Sequence, residues 1–417
     1  MPLIHPIKSI RPVRDKVAMV ASRAVNTYIP RLLDAKLEQN PYAFLNVILP
    51  EHGQNASTKP NTIDRFKLVK KKFDQFCKEG ILIHEKSECI YIYRQIRNGI
   101  SYTGLIAGSS IQDYFEGKIK VHEQTLEKRQ DIFTDYLEIC EFNAEPILLT
   151  YKENKSIEKI IASYVKNRAE YEFTKADRIT HFLWIIDKKS HIKKIQKAFK
   201  SIEALYIADG HHRLASSADL LIRKKLKKKN VKEIDLSNFC LSYFLPDSQL
   251  RILEFNRLIK DTNGLSSQDV LNAIEKNYTV KLTGKKIAKP ARSGQIGMYM
   301  NENWYLLTAN PEIRKHKNVA DKLDASLLTE YILNPIFNIT DLTNDSRIYF
   351  SGGNLGPENL ERKVNAGDAA VAFYLFPVSF QELKDVSDNH LIMPPKSTYI
   401  LPKMRSGLII QPLNQWL

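Results

Sequence analysis

The stretch LYIADGHHRLASSADLLIRKKLKKKN, beginning at Leu205, crowds an acid, a glycine, two histidines and an arginine between two unlike segments. Leu205 to Ala208 is a short apolar run of the kind that makes a buried strand, whereas Leu214, Ala215, Ala218, Leu221, Ile222 and Leu226 recur at helical spacing. Asp209, Gly210, His211, His212 and Arg213 are therefore expected at a strand-to-helix turn. The first turn of a helix carries amides without intrahelical partners and the positive end of the dipole, which suits a phosphate. Gly210 would let the backbone approach closely, and Arg213 could grip two phosphate oxygens at once. His211 and His212 could donate hydrogen bonds or protons, and Asp209 could hold Mg²⁺ or act as a base. An aspartate helix cap with surface histidines uses the same letters without chemistry, but four polar heads exceed what a cap needs.

Two further clusters carry polar groups. In KIKVHEQTLEKRQDIF, a helix starting near His122 would place His122, Thr125 and Arg129 on one face, with Glu123 in its first turn. An ordinary polar helix start reads the same way. In MPPKSTYILPKMRSG, Pro394-Pro395 enforces extended backbone before Lys396, Ser397 and Thr398, and Lys403 and Arg405 follow. A Lys-Ser-Thr triplet can hold an anion, yet no Gly-rich P-loop precedes it, and a charged surface tail is the plainer reading.

These groups must be positioned by a chain of 417 residues, long enough for two or three domains. Hydrophobic residues at 43% and charged residues at 26% fit a globular protein. The first residues break any apolar leader with prolines and charges, and no run of about 20 apolar residues could cross a bilayer. Cys77, Cys89, Cys140 and Cys240 are scattered, against a zinc site or a disulfide framework. A cytoplasmic location is expected. The net charge of +15 includes two lysine runs, Lys70-Lys71-Lys72 and Lys224-Lys225 with Lys227-Lys228-Lys229. They are read as solvated helix faces.

Helices and strands alternate without a repeat, so the class is α/β or mixed α+β. Residues 1–150 read as a mixed region with a helix carrying Phe66, Val69, Phe73 and Phe76, and then ILIHEKSECIYIYRQI as a hairpin. Residues 151–250 hold the DGHHR turn, and 251–417 form a further α/β region ending in MPPKST.

Along the chain, VHEQT with its following arginine, YIADGHHR, and MPPKSTYILPK with SGL resemble domain-of-unknown-function family 1015. The segments SIRP, NPYAFLNVILPE and YIYRQ share the resemblance, which spans nearly the whole chain. The G-x-H-R core is similar to the phosphate loop of the ParB/sulfiredoxin superfamily, which includes kinases of free L-serine using ADP, ATP or pyrophosphate. The resemblance implies a ParB/sulfiredoxin-like phosphate-binding core. By position, Asp209, Gly210, His211, His212 and Arg213 would be the phosphate loop, His122, Glu123 and Thr125 the second motif, and Lys396, Ser397 and Thr398 the third. The chain departs from the family at Ala24 to Tyr28, where a Pro-Tyr-Asp-Val-like segment is usual. A sulfiredoxin reaction is excluded, because its cysteine before the His-Arg pair is His211 here.

The resemblance and the residues together imply phosphoryl transfer between L-serine and a phosphate donor, forming O-phosphoserine or running in reverse. Arg213, His212 and the loop amides would take phosphate, with Lys396 and Lys403 neutralising the donor. Glu123 is the first choice of base, and Asp209 the alternative base or the Mg²⁺ ligand. Pyrophosphate is preferred over ADP or ATP, since no adenine-binding signature is visible. The rival is a ParB-like nucleotide- or DNA-binding regulator. Against it, the basic helix leads into a strand, FCLSYFLPD, rather than a helix-turn-helix, so nucleic acid is not expected as a partner.

Overall fold

The computed structural model describes residues 1–51, 58–227, 236–315 and 318–414, the side chain of Asn26 excepted. Lys228 and Lys229 of the second lysine run lie outside the described residues. The chain forms two compact units: Met1–Lys120 with Thr125–Leu250 and Pro402–Leu417, and Val121–Gln124 with Arg251–Leu401. Among the described residues, no helix is long and apolar enough to cross a membrane.

The first unit is built on a mixed sheet of β1 (Ile4–His5), β2 (Ile90–Arg97), β3 (Ile100–Ser110), β4 (Ile119–Lys120), β5 (Ile147–Tyr151), β6 (Tyr171–Thr174), β7 (Thr180–Ile186), β8 (Leu205–Asp209) and β9 (Phe239–Pro246). Their order is β4-β8-β5-β9-β3-β2-β7-β6, with β1 paired to the end of β3. The β4–β8 and β5–β9 pairs are parallel and the others antiparallel. Every residue of β9 is buried, as expected of a strand covered on both faces.

Helix α1 (Ile63–Lys78) buries Phe66, Val69, Phe73 and Phe76, the face that its spacing defines. Helices α2 (Glu127–Cys140) and α3 (His211–Lys227) pack together through Leu137 and Leu220. Along their outer edge Arg223 pairs with Asp131 at 3.3 Å and Asp135 at 2.5 Å, and Lys227 pairs with Glu138.

Two sequence expectations change. ILIHEKSECIYIYRQI is not a hairpin: Leu82–His84 pairs with Ile10–Pro12, while β2 turns into β3. Asn98 and Gly99, at φ 49° and 76°, make that turn, as a two-residue hairpin requires. Helix α2 starts at Glu127 rather than near His122, so His122, Thr125 and Arg129 do not share a helix face, and Glu123 lies outside the first turn. The cause lies far along the chain: the His122 carbonyl accepts the Met393 N–H at 2.8 Å, which commits this backbone to the second unit instead of a helix.

The second unit contains an antiparallel sheet of β10 (Phe255–Ile259), β11 (Tyr278–Gly284), β12 (Gln295–Met300), β13 (Asn303–Ala309), β14 (Ile348–Gly352) and β15 (Val371–Tyr374), in the order β11-β13-β12-β15-β10-β14. Met298, Leu307, Ile332, Leu333 and Phe373 lie in its core.

Candidate functional site

Strand β8 delivers the polar heads. Leu205 to Ala208 are buried, and Asp209 ends the strand half-exposed. Gly210 alone connects strand to helix, at φ +101°, and its carbonyl accepts the Leu214 N–H at 3.1 Å. A Cβ on Gly210 would stand 2.9 Å from Ile147 Cγ2 and 3.0 Å from Arg213 Nε, so conformation and space both call for glycine. His211, His212 and Arg213 form the first turn of the 17-residue helix α3, at the positive end of its dipole.

Arg213 folds back over Gly210. Its Nη1 donates to the Pro146 carbonyl at 2.8 Å and its Nη2 to Asp209 Oδ2 at 3.3 Å. The Glu145 carboxylate is 3.6 Å from the same guanidinium. Lys403 completes the cluster, with Nζ 3.3 Å from Asp209 Oδ1. Each oxygen of Asp209 thus faces a cation. All three side chains keep contact with solvent, so these pairs contribute little to stability but stay accessible to an anion.

Lys403 sits on a C-terminal strap that several groups hold in place. Ser406 exchanges backbone hydrogen bonds with Ser22 at 3.1 and 2.8 Å, and its hydroxyl donates to the Glu145 carboxylate. Gln95 donates to the Lys403 carbonyl at 3.0 Å. Arg405 Nε donates to His181 Nε2 at 3.2 Å, so Nδ1 of His181 carries the proton and donates to the Tyr93 hydroxyl oxygen at 2.8 Å. His181 is fully buried, and burial, reinforced by Arg405, pushes its pKa down to about 3.

The second motif divides between the units. Thr125 donates to Gln130 Oε1 at 2.9 Å, and Gln130 donates to Asp219 of α3 at 2.5 Å, which ties Thr125 to the helix bearing the loop. Arg129 is exposed. His122 and Glu123 belong to the second unit with Lys396, Ser397 and Thr398.

There, Arg257 of β10 is completely buried and donates to the Lys396 carbonyl at 3.1 Å. Lys396 is held at φ +59°, and Ser397 donates to the Pro394 carbonyl at 2.7 Å. Sequence reasoning missed Glu145 and Arg257, because neither lies in a motif and each acts on residues distant in the chain.

Among known families, the model of DUF1015, a protein family of unknown function, matches residues 4–326. The chain belongs to this family. No curated protein matches the sequence. Among solved structures, a variant of free serine kinase in complex with AMP is 11% identical with a TM-score of 0.38, covering 74% of this chain and 92% of that one. C-terminally truncated SbnI from Staphylococcus aureus is 12% identical at 0.39, covering 74% and 87%. A conserved hypothetical protein from Pyrococcus furiosus is 14% identical at 0.36, covering 71% and 92%.

In this DUF1015 chain both oxygens of Asp209 face cations, so a metal ion held there would have to displace Arg213 or Lys403. Among the described residues, no group of three or more His, Cys, Asp or Glu is placed to hold a metal ion. What the loop offers is charge of the opposite kind: a helix N-terminus, a guanidinium and an ammonium around one carboxylate.

Proposed function

We propose that the protein is a phosphotransferase acting on a small hydroxyl amino acid, with L-serine as the substrate and pyrophosphate as the preferred donor, ahead of ADP or ATP. The observation that carries this reading is Asp209 held between Arg213 and Lys403 at the start of α3. An arriving phosphate takes over cations that Asp209 holds ready, and gains the first-turn amides from Gly210 to Arg213. The choice of L-serine rests on the family motifs.

In the reaction, the serine hydroxyl oxygen bonds to phosphorus as the bridging P–O bond of the donor breaks. Phosphate leaves if the donor is pyrophosphate. The hydroxyl proton passes to a carboxylate, assigned to Glu123, with Asp209 as the alternative. His212 and Arg213 stabilise the transferred group, and Lys396 and Lys403 the donor. His211, His122, Thr125, Arg129, Ser397 and Thr398 are assigned to binding.

The pairing of Arg223 and Lys227 with acids of α2 counts against a DNA-binding face on this helix. Incubating the pure protein with L-serine, Mg²⁺ and each donor separately should yield O-phosphoserine. No product with any donor, together with strong, salt-dependent affinity for duplex DNA, would transfer the case to the regulator.

A further inference from the structure

Two carboxylates reach the guanidinium of Arg213, and they are held differently. Asp209 has a cation on each oxygen, Arg213 at 3.3 Å and Lys403 at 3.3 Å. Glu145 has a neutral donor instead: its Oε1 accepts the Ser406 hydroxyl. Its Oε2 stands 3.6 Å from Arg213 Nη1, too far for a hydrogen bond, and among the described residues no other donor reaches that oxygen. The Glu145 side chain is partly exposed, which leaves a ligand access to it.

The backbone fixes where this carboxylate stands. The Glu145 N–H donates to Asn143 Oδ1 at 3.2 Å, and its carbonyl accepts Arg213 Nη1 at 3.4 Å. On either side, the Ala144 carbonyl accepts the Gly407 N–H at 3.2 Å, and the Pro146 carbonyl accepts Arg213 at 2.8 Å. Ser406 is itself held by its backbone pair with Ser22. In L-serine the ammonium and the hydroxyl sit on adjacent carbons. A group that binds the ammonium must therefore neighbour the group that binds the phosphate joined to that hydroxyl oxygen, and Glu145 stands in that relation to Arg213. An ammonium set beside Arg213 and Lys403 without a counter-charge would be repelled. Asp209 already serves both cations, whereas Glu145 has an oxygen to give.

We propose that Glu145 receives the α-ammonium of the substrate and sets the preference of the site for vicinal amino alcohols over hydroxy acids without nitrogen. This part for Glu145 rests on the phosphotransferase reading, which supplies the hydroxyl amino acid. Glu145 takes no proton in the reaction. Its pairing with the ammonium is the same before and during transfer, so it acts on substrate affinity rather than on the chemical step. A charge-assisted hydrogen bond of this kind is worth about tenfold or more in affinity.

The test is calorimetric titration of the full chain with L-serine, with 3-hydroxypropionate, which lacks only the ammonium, and with pyrophosphate. L-Serine should bind about tenfold or more tightly than 3-hydroxypropionate. Glu145→Gln keeps an acceptor for Ser406 and removes the charge. It should weaken L-serine about tenfold or more, while 3-hydroxypropionate and pyrophosphate, both anions, bind no more weakly than before. A merely structural part for Glu145 would lower all three affinities together, and that result overturns the proposal. Unchanged affinity for L-serine in the variant overturns it too, as does a wild-type chain that does not bind L-serine. Formation of O-phosphoserine with an unchanged KM for L-serine in Glu145→Gln would remove the ammonium site and keep the transferase. Glu145-dependent binding of L-serine without product from any donor would remove the transferase and keep the ammonium site.

Discussion

The ammonium of Lys403 lies 3.3 Å from Asp209, a residue 194 positions earlier in the chain. This contact joins the C-terminal strap to the turn between β8 and α3, and makes the tail part of the site. Because the pair is partly exposed, Lys403→Met should change stability by less than about 1 kcal/mol. Its expected effect is on the donor: KM for pyrophosphate rises about tenfold or more. Thermal melts and initial rates on the same preparation check both halves, and an unchanged KM would remove Lys403 from donor binding.

Arg213 holds a carbonyl and a carboxylate at once, through Pro146 and Asp209. An ammonium cannot reproduce that fork. Arg213→Lys should lower turnover by about 10² to 10³, the range for losing one charge-assisted contact to a transition state. Near wild-type turnover on every donor would take Arg213 out of the mechanism.

Two carboxylates compete for the role of base. Glu123→Gln should keep most substrate affinity while turnover falls about 10² or more. Asp209→Asn should chiefly raise the donor KM, since it frees Arg213 and Lys403 from their shared anchor. Steady-state kinetics of both variants decide: an inactive Asp209→Asn beside an active Glu123→Gln makes Asp209 the base.

His181 sets an acid limit on the first unit. Its folded pKa, about 3, is below the ordinary 6.5, so the unfolded chain takes up its proton first as pH falls. The stability it contributes is complete above pH 6.5 and declines between 6.5 and 3, by up to about 1.4 kcal/mol per pH unit. Denaturant melts across this window should show the decline, with a shallower slope in His181→Gln. Equal slopes would mean that other groups govern the acid transition.

Local patterns were legible in the sequence. The apolar run Leu205 to Ala208, the Asp-Gly pair and the helical spacing after Arg213 announced the turn, because each is a short-range preference of the backbone. The buried face of α1 could be read from Phe66, Val69, Phe73 and Phe76 for the same reason. What remained hidden was set by partners far along the chain. Nothing near Lys403 points to Asp209, and nothing near Glu145 points to Arg213. His122 looked like a helix start until Met393 claimed its carbonyl. The apparent hairpin after Gly80 failed because its first strand, Leu82–His84, pairs with Ile10–Pro12, whereas the turn signal Asn98-Gly99 lies one strand later.

Phosphate binding is proposed at the loop from Asp209 to Arg213. Its most direct measurement is amide hydrogen exchange, resolved by mass spectrometry, of the full chain with and without pyrophosphate. Exchange should slow in peptides covering Gly210 to Leu214, whose amides would donate to the bound anion. Saturation with pyrophosphate that leaves these amides unchanged, with protection confined to other segments, would contradict it.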